Sequence, residues 1–206
     1  MIDPPIWEAA IASGLGAAGI TWSVVTGRTQ GLDAHILARL QPRRPLGPDG
    51  KPSRVITFAR DLAALGGDTL RLVFLSGCVL ALLAVGRPRD AALMGAIFFG
   101  ARIALHYLKT ITRRARPDLF EHGVVTYTTS FPSGHTYMAA VLFLSAALII
   151  PEHAADALRV VAMGFALGVS ALIGWTRLML GIHWPSDVAV GWLAGISWAC
   201  GWALLA

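Results

Sequence analysis

Residues 160–187 read VVAMGFALGVSALIGWTRLMLGIHWPSD. From Val160 to Thr176 no charge interrupts the run. An apolar stretch of about 20 residues matches the hydrocarbon thickness of a bilayer, so the reading is a membrane helix over Val160–Ile182. At its far end the chemistry changes within a few positions. Arg177, His183 and Asp187 follow one another at the expected membrane edge, and Pro185 stands where a new helix begins. An apolar span that stops at a cluster of ionisable side chains fixes both the fold class and the place to look for function.

Outward from this stretch, further spans are expected over Leu70–Gly86, Ala91–Leu108, Phe131–Ile150 and Val188–Leu205, with a weaker one over Trp7–Thr26. Asp3 and Glu8 deprive that first segment of a basic lead, which favours a membrane helix over a cleavable signal peptide. The expectation is an all-α polytopic membrane protein of six transmembrane helices, forming one domain over residues 1–206. Composition agrees: 55% of the 206 residues are apolar and 14% charged, where a soluble domain carries about 25% charged residues. The net charge of +5 resides between the spans rather than along a soluble face. Anionic lipid headgroups are therefore the better partner, and nucleic acid is not expected. Cys78 and Cys200 lie in apolar runs, match no metal or disulfide framework, and read as space-fillers. Gly164, Gly168 and Gly174, and Gly191 with Gly195, read as small faces for close helix packing. The seven tryptophans read as interfacial anchors.

The connection from Gly27 to Asp68 carries Pro42, Pro45, Pro48 and Pro52 and reads as an irregular loop, followed by an interfacial amphipathic helix near Val55–Leu65. With six spans, this connection falls on the same membrane side as Lys109–Ser130 and Gly181–Pro185. The positive-inside bias would put that basic side in the cytoplasm. Residues needed to hold phosphate account for much of the same charge.

Three patterns share that side: Lys109 followed after six residues by Arg116-Pro117; Pro132-Ser133-Gly134-His135; and Thr176-Arg177 with His183 and Asp187. A phosphate dianion needs fixed positive charge, which Lys109, Arg116 and Arg177 supply, arginine with a bidentate fork. Ser133 and Gly134 stand at a helix start, where free N–H groups receive an anion. Asp187, four residues beyond His183, is placed to orient the imidazole for attack on phosphorus. His135, from another helix, is placed to protonate the leaving oxygen. Of the other polar residues, His106, His122 and His153 read as interfacial and Arg102 as a structural ion pair. Arg113 and Arg114 suit phosphate or headgroups equally, and Trp184 reads as a wall of the pocket.

These patterns resemble the three signature motifs of the type 2 phosphatidic acid phosphatase superfamily, which includes bacterial phosphatidylglycerophosphate and undecaprenyl diphosphate phosphatases. Thr176 stands where the family usually has serine and keeps the hydroxyl. The resemblance implies that His183 forms a phosphohistidine, Asp187 orients it and His135 is the general acid. It implies that Lys109, Arg116, Ser133, Gly134 and Arg177 hold the phosphate of a phosphorylated lipid. It further implies six membrane helices, no metal ion or cofactor, and an active site at the outer, periplasmic face of the cell (inner) membrane. A phosphotransferase using the same intermediate, and a non-catalytic lipid binder or transporter, are the alternatives. Oligomeric state is left open.

Overall fold

The computed structural model describes residues 6–41, 51–118, 128–151 and 154–203. Among them are eight helices: α1 (Ile6–Val25), α2 (Gln30–Leu40), α3 (Arg54–Ala64), α4 (Asp68–Ala84), α5 (Pro88–Thr112), α6 (Gly134–Leu148), α7 (Asp156–Met179) and α8 (Pro185–Ala203). No strand occurs among the described residues.

Helix α6 is the axis around which the others pack. Residues Tyr137 to Leu142 are buried without a break, the pattern of a helix covered on every face. Met138 and Leu142 join Leu75, Met94 and Phe98 of α4 and α5 in one cluster, while Ala140 and Leu144 meet Ala166 and Ala199 of α7 and α8 in another. Backbones approach closely where α8 crosses α6. A Cβ at Gly191 would stand 2.8 Å from the Ser133 carbonyl oxygen, and one at Gly195 only 2.6 Å from the Ala140 Cβ. Neither position accepts a side chain without separating the helices. Gly174 is equally tight against Val188, but Gly164 and Gly168 meet nothing within 4 Å. The expected packing role fails for those two because the buried stripe of α7 runs through Ala166, Ser170, Ile173 and Arg177, leaving 164 and 168 on its outer side.

That outer side is strongly apolar. Leu15, Val73, Leu80, Ile103, Val160, Val161 and Phe165 are all exposed, a surface suited to lipid rather than water. Helices α1, α5 and α7 are each long and apolar enough to cross a membrane, and α3 with α4 qualifies as one span bent by 41°. Helix α6 is apolar but has only 15 residues. It begins at Gly134 rather than Phe131 because Ser133, in extended conformation, is its N-cap.

The stretch read as an irregular loop after α1 contains helix α2, with Asp33 and Leu37 buried; Pro42, Pro45 and Pro48 lie outside the described residues. The amphipathic helix is present as α3, whose Ile56, Ala59 and Ala63 dock on Met179, Leu180 and Ile182 at the end of α7. Trp7 and Trp22 are exposed on α1, but two other tryptophans are internal ties, not anchors. The indole N–H of Trp192 donates to Ser170 Oγ at 2.9 Å and that of Trp198 to the Ile97 carbonyl at 3.1 Å. Cys78 and Cys200 are free thiols, the first packed beside the core and the second buried.

Candidate active site

Three local turns assemble the site. Helix α7 ends with Gly181 at φ +66°, a left-handed conformation that costs glycine little. The Ile182 N–H then reaches the Arg177 carbonyl and the Gly181 N–H the Leu178 carbonyl, so the chain reverses and delivers His183 beside Arg177. Pro185 opens α8, and Asp187, in its first turn, accepts the Trp184 N–H at 3.0 Å, half of a capping box. Helix α5 ends at Arg113, itself left-handed at φ +43°, and the next residue, Arg114, turns inward.

His183 is buried. Its Nδ1 lies 3.5 Å from Asp187 Oδ2 and 3.4 Å from Ser130 Oγ, and that hydroxyl in turn donates to the same carboxylate oxygen. On the other edge, Nε2 is 3.3 Å from Arg116 Nη1, a group that only donates. These partners assign the ring proton to Nδ1 and turn the Nε2 lone pair to the Arg116 guanidinium, which lines the same cavity as His183. Burial pushes the pKa of His183 down to about 4, against the opposing pull of the Asp187 hydrogen bond and charge, with Arg116 and Lys109 adding to the depression. The imidazole is therefore neutral at physiological pH, the state a nucleophile requires. Burial likewise lowers the Arg116 pKa, opposed by Asp187.

His183 lines a cavity of about 450 Å³. Lys109, Arg116, Gly134, His135, Arg177 and His183, six of the residues singled out from sequence, line it together. Lys109 is held by the Thr129 carbonyl at 2.8 Å, and Arg116 by the carbonyls of Ile182 at 2.7 Å and Thr128 at 2.9 Å. Carbonyl anchors hold these cations without cancelling their charge. Asp187, fully buried, stands behind His183 and not in the cavity. Ser133 is not a lining residue: it is buried, its Oγ pairs with Thr136 Oγ1 at 2.9 Å, and its N–H donates to the Asp187 carbonyl at 3.0 Å.

Several other readings are corrected by the geometry. Arg114, outside the cavity lining, is engaged within the protein: it bridges Asp187 Oδ1 at 2.6 Å and Asp33 Oδ2 at 2.7 Å. Trp184 lies outside the cavity lining, packed on the Arg114 guanidinium with its indole N–H on the Ala115 carbonyl. Arg102 has the structural partner expected, Asp68 at 3.2 Å, yet both also line the cavity, as does His106. His122 and His153 lie outside the described residues. Sequence reasoning missed Ser130, Asp33 and Arg71. Asp33 accepts the Ser186 N–H and hydroxyl at 2.9 and 2.7 Å, and so ties α2 to the start of α8. Arg71 joins the cavity from α4. Chemically, the assembly offers a neutral, oriented imidazole facing a cationic cup, with a second imidazole across it.

Residues 90–206 match the family model described as the PAP2 superfamily. The lipid A 1-phosphatase of Rhizobium johnstonii is 30% identical, over 94% of this chain and 82% of its own length. The phosphatidylglycerophosphatase B of Bacillus subtilis is 31% identical over 52% of this chain and 53% of its own. The crystal structure of a transmembrane PAP2 type phosphatidylglycerolphosphate phosphatase from Bacillus subtilis superposes with a TM-score of 0.80, at 23% identity, over 92% of this chain and 91% of that one. That of Aquifex aeolicus LpxE gives 0.60 at 22% identity, over 85% and 96%. Sequence across the half of the molecule that carries the three patterns and backbone geometry across nearly all of it agree: the chain belongs to the PAP2 superfamily.

Proposed function

We propose that this membrane phosphatase hydrolyses the phosphomonoester or diphosphate of a lipid through a phosphohistidine on His183, without a metal ion. The observation that carries the reading is the place of His183, held at Nδ1 by Ser130 and Asp187 and lining one cavity with Lys109, Arg116 and Arg177. In the first step Nε2 bonds to phosphorus as the bond to the leaving oxygen breaks, and His135, which takes up a proton as the anionic substrate enters beside it, gives that oxygen its proton. In the second, neutral His135 takes a proton from water, whose oxygen attacks phosphorus. The N–P bond breaks, inorganic phosphate departs, and both imidazoles return to their starting states. The three cations, with the backbone at Gly134, stabilise charge spread over the transferring oxygens.

The reading extends to the membrane. Helices α1, α4, α5, α6, α7 and α8 form six crossings of one domain. The 15 residues of α6 span only about 22 Å at 1.5 Å per residue, less than a hydrocarbon core of about 30 Å. Protein encloses α6 on all sides, and the cavity at its N-terminus sits below the bilayer surface, within reach of a lipid headgroup. The site faces the outer side of the inner membrane. His183→Ala should abolish phosphate release in detergent without loss of the folded state, and activity should survive EDTA but fall with vanadate, an analogue of five-coordinate phosphorus. Near-normal turnover by His183→Ala, or loss on chelation reversed by magnesium, would refute the mechanism.

A further inference from the structure

The cavity holds more positive charge than one phosphate uses. A phosphate monoester carries about −1.5 to −2 near neutral pH, and Lys109, Arg116 and Arg177 already answer it. Beyond them the lining continues along one stripe of α5, from Lys109 through His106 and Leu105 to Arg102, about 10 Å at 1.5 Å per residue. Opposite this stripe stands Arg71.

Arg71 is 5% exposed. One of its terminal nitrogens donates to the Gly134 carbonyl at 3.3 Å and the other to Asp68. Its Nε has no partner among the described residues, although the side chain lines the cavity. That enclosed N–H offsets none of the charge, so an anion in the cavity would meet Arg71 through the part of its side chain that lines it. Asp68 is shared with Arg102 and is itself exposed, so the two arginines are only partly neutralised.

Position gives the charge its meaning. The Gly134 carbonyl that receives Arg71 belongs to the residue preceding His135, the imidazole assigned to the leaving oxygen. Arg71 therefore stands beside the turn that carries His135, where the proposed mechanism puts the leaving oxygen. We propose that Arg71 binds a second anionic group carried by the departing lipid, so that the enzyme favours substrates with two negative groups over simple lipid monophosphates. Such a group is a phosphoryl oxygen cluster, either the phosphate retained when a lipid diphosphate is cleaved or a phosphodiester a short distance along a headgroup. This inference rests on the hydrolase reading above and assigns it a substrate class.

The test compares kcat/KM of the purified full chain on a prenyl monophosphate, a prenyl diphosphate and phosphatidylglycerophosphate. The wild type should prefer at least one of the doubly charged substrates by about tenfold or more, and which one identifies the source of the second group. Arg71→Gln should lose at least tenfold on that substrate and less than threefold on the monophosphate, with Arg71→Lys recovering part of the loss. Absence of preference in the wild type would overturn the proposal, as would an equal loss on all three substrates in both variants, which marks Arg71 as a brace for the Gly134 carbonyl alone. His183→Ala in parallel keeps the two readings apart, because phosphate release that survives it refutes the histidine mechanism whatever Arg71 does.

Discussion

Replacing Arg114 by leucine would strand two carboxylates at once. Asp33 and Asp187 have side chains 3% and 0% exposed, and Arg114 is the cation that touches both. Removing one member of a buried pair costs about 3–5 kcal/mol, chiefly because the remaining charge stays unsolvated. Arg114 is itself 14% exposed, so water reaches part of the gap and the low end, about 3 kcal/mol, applies. Asp33→Asn keeps the shape but weakens its bonds to Ser186 and Arg114, costing about 1.5–3 kcal/mol. Combined, the changes should cost less than their sum, since the asparagine removes one of the charges that the leucine strands. The expected coupling is about 2 kcal/mol, against about 0.5 kcal/mol for independent sites. Chemical denaturation of the four proteins in one mixed-micelle system measures it. Additivity within that margin would refute the claim that Arg114 acts as an electrostatic bridge between α2 and the site.

Two further outcomes follow from the same coordinates. Between pH 6.5, the ordinary histidine value, and pH 4, near its value in the fold, His183 binds fewer protons folded than unfolded. Its stabilisation is thus complete above pH 6.5 and is lost as pH falls toward 4, by about 3 kcal/mol in all. His183→Gln, which cannot titrate, should show an acid-side decline shallower by that amount, and parallel stability curves would show that the imidazole is not buried neutral. Gly195→Ala should lower the melting temperature and the activity, because overpacking costs about 1–3 kcal/mol and the new methyl would meet Ala140 and the Tyr137 carbonyl. Gly168→Ala, with nothing within 4 Å, should be neutral or gain up to about 1 kcal/mol from helix propensity. Equal effects of the two changes would contradict the packing of α8 on α6.

The residues legible in sequence are those whose meaning is local. Lys109, Arg116, His135, Arg177 and His183 could be found because each stands at a helix end, where charge is out of place beside an apolar run, and the three ends share one side. The helices could be found for the same reason, since hydrophobic length survives without knowledge of neighbours. Asp33, Arg71 and Ser130 carry no such mark. Asp33 is an acidic residue on a short helix and acquires its role only where α2 touches α8. Arg71 sits near the start of an apolar helix, where an arginine commonly reaches for headgroups; only the docking of α4 beside α6 turns it inward. The glycine faces fail in the same way. Gly164 and Gly174 look alike as letters, and the rotation of α7 about its axis decides which one meets a neighbour.

For the nucleophile proposed above, the missed residues also account for how Asp187 would hold His183 without protonating it. A bare carboxylate beside an imidazole favours the imidazolium, which has no lone pair for phosphorus. Here the Asp187 charge is divided among Arg114 on Oδ1 and the Ser130 hydroxyl and Trp184 N–H on Oδ2. Nδ1, at 3.5 Å from Asp187 Oδ2 and 3.4 Å from Ser130 Oγ, is shared between carboxylate and hydroxyl. The carboxylate thus fixes which nitrogen carries the proton, while its field at the ring is reduced by an arginine that Asp33 holds in place. On the opposite edge, Arg116 and Lys109 oppose protonation directly. The neutral state of His183, on which the proposed nucleophilic role depends, is accordingly a property of the helix packing that assembles α2, α5 and α8 around one buried charge, and not of the histidine–aspartate spacing alone.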